Sequence, residues 1–409
     1  MKRSLLKGVS LTVLGLSSLV ALGSCGTSSS SSDINITIWE DESNITMVKE
    51  LTDEFIGNYK QTYKLAANIT VTFVSQSEKS AVEKMSTVSP TGNGPDIASI
   101  THDTIPSAVK AGLIDEAYYK ADIENRDTEE AVGAVTYKDK VYGYPITAES
   151  MTLMYDKTKL SASDVVSFES LKASRKKIAW DMQVDGAYYG YALNSDSVLF
   201  GDDGKDNTKV DIGTTQSCAN WASFISSYAS DCVASMTPET SISQLSNGTV
   251  AGVISSPFLY SSVIDAIGAE NVGLAVIPSI GGVTLRPFSG YKCYAVSKYS
   301  KNPAIAQALA EFLTSDDAQA VRLNEKSYLP CVKEYTSDMN DIISSDTTGN
   351  LQVFKDSLDN SITMPNIEEM SNFWKPMNAA VSELRALKGT TVTSADVKTK
   401  FDAVTEKLK

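Results

Sequence analysis

One histidine, His102, stands in 409 residues, and that scarcity excludes more than it suggests. Zinc sites are built from clustered His and Cys. The five cysteines are scattered at 25, 218, 232, 293 and 331, with no Cys-x-x-Cys pair among them. Neither a metal centre nor a disulfide framework is expected, and no cofactor is implied. Cys218 and Cys232 flank "ANWASFISSYASD", which reads as one helix. On such a helix they would lie about 21 Å apart, beyond disulfide reach. A Cys293–Cys331 pairing is left open beside burial as small hydrophobes. Cations are short too: 36 Lys and Arg face 50 Asp and Glu, a formal net charge of −14. Nucleic-acid binding is driven by neutralising phosphates, so that partner is excluded. Long apolar runs are also lacking, because Val9–Leu22 is too short for a confident membrane span.

What is present begins at that run. Lys2, Arg3 and Lys7 precede it, and Gly23, Ser24 and Cys25 follow, which is the architecture of a secretory signal over 1–24. Leu-Gly-Ser-Cys resembles the lipobox of bacterial lipoproteins, with Cys25 as the lipidated first mature residue. "GTSSSSSD" then makes 25–33 a polar, Ser-rich tether. An acylated Cys25 would hold the chain at the outer face of its membrane. Without 1–24 the formal charge falls to −17, since three positive charges leave.

The remaining chain is long enough for two domains. "INITIW" alternates Ile34, Ile36 and Ile38 in the manner of a strand, and "NITVTFVS" does the same with Ile69, Val71 and Phe73. Between them Met47, Val48, Leu51 and Phe55 form a helical stripe, with Asn44 as its expected cap. Strand–helix–strand at this spacing predicts a parallel unit, and a helix over "SEKSAVEKMSTV" leads to a third strand, "DIASI". Ligands of such sheets gather at the loops after the strands, which is where His102 and Asp103 stand. "KVYGYPITAESMTLMYDKTKL" reads as two strands broken around Pro145 and Ile146. Further on, Asn302 and then Thr314 or Ser315 are expected to cap a pair of helices.

Four stretches then resemble a known family. "GNGPDIASITHDTIPSAVKAGLI", "YKDKVYGYPITAESMTLMYDKTKL", "SISQLSNGTVAGVISSPFLYSSV" and "MPNIEEMSNFWKPMNAAVSEL" are similar to segments of the maltose/maltodextrin-binding extracellular solute-binding proteins. They occur in the family's order, over roughly 36–385. The resemblance implies a periplasmic-binding-protein-like α/β fold, two lobes joined by crossing hinge strands with a ligand cleft between them. The lobes would be 34–147 plus 294–338 and 151–289 plus 345–409. Crossings are expected near Thr147–Met151, near Ser289–Tyr294 and within 338–345. It also implies a monomer that delivers a carbohydrate to the permease subunits of an ABC importer.

Sugar recognition needs aromatic faces for the C–H side of a pyranose and planar polar groups for its hydroxyls. By resemblance, Asp103, Glu149 and Asp41 or Glu42 supply acceptors, while Tyr188, Tyr189, Phe258, Tyr260 and Trp374 supply rings. For Asp103 a helix cap is the competing role. For the tyrosines it is core packing. The sequence departs from the family at Ile100, where a Trp is usual, and at Thr104, Lys375 and Asn378. No Lys follows the first strand, where the family has an Asp-Lys pair. A glycoside hydrolase using Asp103 and Glu149, a surface adhesin or sensor, and an importer of a non-sugar solute are the alternatives. No nucleophile accompanies His102, which is expected to bond within its own loop and position Asp103.

Overall fold

The alternating isoleucines of β1 (Ile34–Glu40) need an apolar layer on one face. The helix α1 (Ile45–Tyr63) provides it, burying Met47, Val48, Leu51 and Phe55. The computed structural model describes residues 33–63, 67–180, 196–201, 204–233 and 237–409, so the signal segment, Cys25, Tyr188 and Tyr189 lie outside the described residues. β1 pairs in parallel with β2 (Ile69–Ser75) on one side and β3 (Ile97–Thr101) on the other. α2 (Glu78–Val88) closes the second crossover. One local expectation changes. Asp41, not Asn44, caps the entry to α1, its Oδ1 accepting from the Ser43 N–H at 3.0 Å in a 3-10 turn over Glu42–Asn44. Asn44 is buried and donates to Glu40 instead.

Two long strands carry the chain out of this sheet. Tyr144–Ser150 pairs antiparallel with Phe288–Val296, and the latter pairs antiparallel with β3. Pro145 does not break the first of these. The register slips between Lys292 and Cys293, leaving Ile146 unopposed as a bulge beside it. A bulge is where a ladder tolerates a proline, which has no N–H to give. The break comes later, at Met151, after which Thr152–Asp156 joins a second sheet. There it lies antiparallel between Gly252–Ser255 and Val272–Val276, and the sheet continues through Ile178–Trp180 to Cys232–Val233.

The second sheet is buried on both faces. Leu153, Ile178, Trp180 and Ile254 enter one core with Phe168, Trp221, Phe224 and the C-terminal helices. Their neighbours Met154, Ala179 and Val253 enter another, with Val272 and Phe354. Period-two alternation therefore gives two apolar layers, as a covered sheet requires. The first sheet has its own core, from Ile36 to Leu313 and Ala318.

Core membership changes at three places. Tyr144 and Ile146 belong to the first core and Met151 and Leu153 to the second. Phe288 lies in the second and Cys293–Val296 in the first. The helix Asp316–Lys326 offers Ala318 to the first lobe and Ala320 and Leu323 to the second. Beyond that helix the chain still bonds the first lobe, Cys331 accepting from the Thr128 N–H and Lys333 donating to the Arg126 carbonyl. Met339 lies in the second lobe's core, so the chain leaves the first lobe only just before the 338–345 read from sequence. A helix presents different sides every two residues, so one helix bridges two cores without a loop. The cysteines also differ from expectation: Ser227 ends the helix that begins at Thr215, so Cys232 lies on a strand. Cys218, Cys232, Cys293 and Cys331 are all free and buried.

A buried polar network ties the first lobe to that bridging helix. Tyr294 donates from its hydroxyl to Glu40 Oε2 at 2.6 Å, and Arg322 donates to the same hydroxyl at 3.2 Å. Burial raises the Glu40 carboxyl above its ordinary range, and the Tyr294 hydroxyl, the charge of Arg322 and the Asn44 amide oppose that rise. Tyr294→Phe leaves a buried carboxylate oxygen without its donor. The expected cost is about 1–3 kcal/mol in the urea unfolding midpoint, with the slope unchanged.

Candidate functional site

The C-terminal ends of β1, β2 and β3 point at one gap between the lobes, and each ends in a polar turn: Asp41–Ser43, Ser77–Lys79 and Thr101–Thr104. From the other lobe come Ser256 and Phe258 in the turn after Gly252–Ser255, and Trp374 at the first position of helix Trp374–Ala386. The crossing strands form the floor with Glu149, Gly290, Tyr291 and Lys292. The cavity, open on one side, is about 490 Å³. That lies within the range of small-molecule sites. A second hollow of about 580 Å³ shares Asp103, Thr104 and Trp374 and runs on between Lys110 and Glu368.

His102 is fully buried, and both its nitrogens serve the backbone. Nδ1 accepts from the Tyr291 N–H at 3.1 Å, which leaves the proton on Nε2 to donate to the Met364 carbonyl at 3.0 Å. Its ring meets that of Tyr291 edge-on at 5.7 Å. No nitrogen is left to act as a base. The bonds run to a crossing strand and to Met364, in the segment 362–364 that lies beside that strand, not within the histidine's own loop as the sequence suggested. They fix the turn in which Asp103 stands. Asp103 caps neither that turn nor the following helix, whose cap residues are Thr101 and Thr104.

The floor is charged. Lys292, 8% exposed, pairs with Glu78 at 2.7 Å and lies over the Tyr328 ring at 5.4 Å. Burial alone would push this ammonium down, but Glu149 and Glu78 outweigh it and hold it well above the usual lysine range. Glu149 accepts from Ser256 Oγ at 3.4 Å with one oxygen, and its other oxygen is buried without a partner. The loop after β1 carries no lysine, and this buried floor cation comes from a strand distant in sequence. Lys292, Glu78 and Tyr328 escaped the sequence reading, since nothing local marks a lysine in an apolar strand as facing a cleft.

Aromatic placement is mixed. Trp374 packs edge-on against Phe288 and Phe373, at 6.3 and 5.3 Å, and borders both hollows. Phe258 is 37% exposed, with the Lys79 ammonium 5.9 Å from its ring centre. Tyr260 is not brought to the cleft. It begins a helix, packs edge-on against Phe354 at 5.3 Å and accepts from Asn350. Two residues on a helical turn point to different sides, so Phe258 and Tyr260 part company. Asp41 lines the cavity with its Oδ1 engaged by Ser43, while Glu42 is exposed and outside the lining. Tyr188 and Tyr189 lie outside the described residues.

Across the mouth, Glu368 of the second lobe meets three residues of the first. Lys110 donates at 2.6 Å, the Tyr137 hydroxyl at 2.6 Å, and Lys138 stands 3.6 Å away. The Lys110 and Tyr137 donors pull its carboxyl down to about 2.

A cleft whose floor is made of the strands joining its two walls opens and closes by rotation about them, and this is the build of a hinged, two-lobed solute-binding protein. The chain belongs to the bacterial extracellular solute-binding protein family, whose model matches residues 58–348. It is 26% identical to the galactooligosaccharide-binding protein of Bacillus subtilis (strain 168), over 95% of this chain and 94% of that one. It is also 26% identical to the maltooligosaccharide ABC transporter solute-binding lipoprotein of Streptococcus pneumoniae (strain ATCC BAA-255 / R6), over 82% and 84%. Among solved structures, the unliganded maltodextrin-binding protein MalE1 of L. casei BL23 superposes with a TM-score of 0.76 at 21% identity, over 92% of this chain and 99% of that one. A cyclo/maltodextrin-binding protein complexed with maltotetraose gives 0.70 at 22%, over 91% and 96%. These two show the same two-lobed fold.

Glu368→Gln removes the negative centre of the contact across the mouth. The ligand-free variant is expected to show a larger radius of gyration by small-angle scattering at pH 7. Because the folded carboxyl lies below its free value of 4.5, the contact is present above that pH and is lost as pH falls toward about 2. The wild type should therefore expand over that window, wherever far-UV circular dichroism stays native, and the variant should not.

Proposed function

We propose that this protein captures a small oligosaccharide between its lobes and delivers it to the permease subunits of an ABC importer, anchored outside the membrane by a lipid on Cys25. The observation that carries this reading is the pairing of ring and carboxylate within one cavity. Trp374 and Phe258 border a space lined by Asp103 and Glu149. A pyranose offers C–H faces to rings and hydroxyls to carboxylates at the same time. Relatives named for galacto- and maltooligosaccharides, matched over most of the chain, support the same class.

Binding and closure are one equilibrium. The ligand must touch both walls to favour the closed form, and only its differential affinity shifts the population. Asp103 and Trp374 come from opposite lobes, so a sugar held between them bridges the mouth. The moving bodies would be 34–147 plus 294–338, and 151–289 plus 345–409. A monomer suffices, since every group in the scheme comes from one chain.

A thermal-shift screen of residues 33–409 against mono-, di- and trisaccharides is expected to raise the melting temperature with a di- or trisaccharide. A shift only with another class of solute would remove the carbohydrate assignment. In the same protein, Trp374→Ala and Asp103→Ala should each weaken the sugar found by at least about tenfold, read by isothermal titration calorimetry. Unchanged affinity in both would place the ligand elsewhere.

A further inference from the structure

We infer that Lys292 and Glu149 together form a subsite that reads a single ligand hydroxyl, with Lys292 as the specificity-determining residue. The inference rests on the carbohydrate reading above and adds a residue that the sequence did not single out. The Lys292 ammonium has three N–H donors, and Glu78 takes one of them at 2.7 Å. The second Glu149 oxygen is buried without a donor. Both side chains line the same cavity, and Lys292 forms its ion pair with Glu78, not with Glu149.

The geometry that produces this is the bulge. Lys292 stands opposite Thr147 and Gly290 opposite Glu149, on the ladder just before the register slips at Cys293. Residues 290 and 292 share a face of their strand, so Lys292 lies on the same side of the floor as Glu149. Bulges redirect side chains and fix where a pair of strands bends. The two groups are thus held on the crossing strands themselves, which turn least when the lobes move.

A group placed between an ammonium and a carboxylate must accept from one and donate to the other. A hydroxyl does both. An ether or carbonyl oxygen only accepts, an amide N–H only donates, and a ligand carboxylate would meet Glu149 as a like charge. The subsite therefore selects a neutral alcohol and rejects an oxidised sugar acid at that position.

The test uses residues 33–409, with maltotriose and galactotriose as probes in isothermal titration calorimetry. Lys292→Met and Glu149→Gln should each weaken the better probe by about 10–100-fold. Either change breaks the same bridge, so the double variant should be no more than about threefold worse than the weaker single. Lys398→Gln, which loses an ion pair with Asp402 outside the cavity, should stay within about threefold of wild-type affinity. If Lys292→Met does not melt cooperatively, Lys292→Gln takes its place with the same readout. Losses that simply add, or a Lys292 variant that binds as the wild type does, would overturn the subsite alone. A wild type that binds neither probe would overturn both this and the carbohydrate reading.

Discussion

The antiparallel pairing of Tyr144–Ser150 with Phe288–Val296 is the constraint on which the remaining structure depends. Each strand leaves one core and enters the other, so the two lobes are joined through a shared ladder and not through loops. The same ladder is the cleft floor. It places Glu149, Tyr291 and Lys292 where both walls converge, and its Tyr291 N–H holds His102, which in turn fixes the turn bearing Asp103. A site built on strands is held more rigidly than one built on loops. Here the loops supply the moving walls and the strands the fixed reference.

Charge is distributed to match. Buried acids are compensated inside the first lobe, Glu40 by Tyr294 and Arg322, and Asp127 by Arg126 at 2.9 Å. Burial still pushes Glu311, beside Arg126, up to about 7. At the mouth the logic reverses. Glu368 is solvated and its carboxyl is pulled down by donors from the other lobe, so its contacts are screened by salt and worth little each. A closure held by weak, partly exposed contacts leaves the balance to the ligand.

The first lobe was legible because its pattern is local. Alternating isoleucines, an apolar helical stripe and a Gly-Pro turn gave β1, α1, α2 and β3 nearly residue by residue. Pro145 misled because proline ordinarily interrupts a ladder, and only the opposing strand reveals the bulge that accommodates it. Tyr260 misled because spacing on a short turn does not say which side a ring takes. Asp103, Glu149, Phe258 and Trp374 were reached by resemblance, and the structure brings them to one cavity. Lys292 was invisible by either route: "GYKCYAV" reads as an apolar strand, and nothing in it marks its lysine as facing the cleft.

By itself the sequence determined the class of fold, the first lobe's element order and the candidates for the walls of the cleft. Each follows from composition, from periodicity within a few turns of chain, or from segments similar to a known family. What only the tertiary structure decided is partnership at long range. His102 meets residues 189 and 262 positions away, and Lys292 finds Glu78 across the sheet. The physical reason is that a hydrogen bond or ion pair is fixed by position in space. Position at the cleft floor is set by the register of two strands about 140 residues apart, which no local pattern encodes.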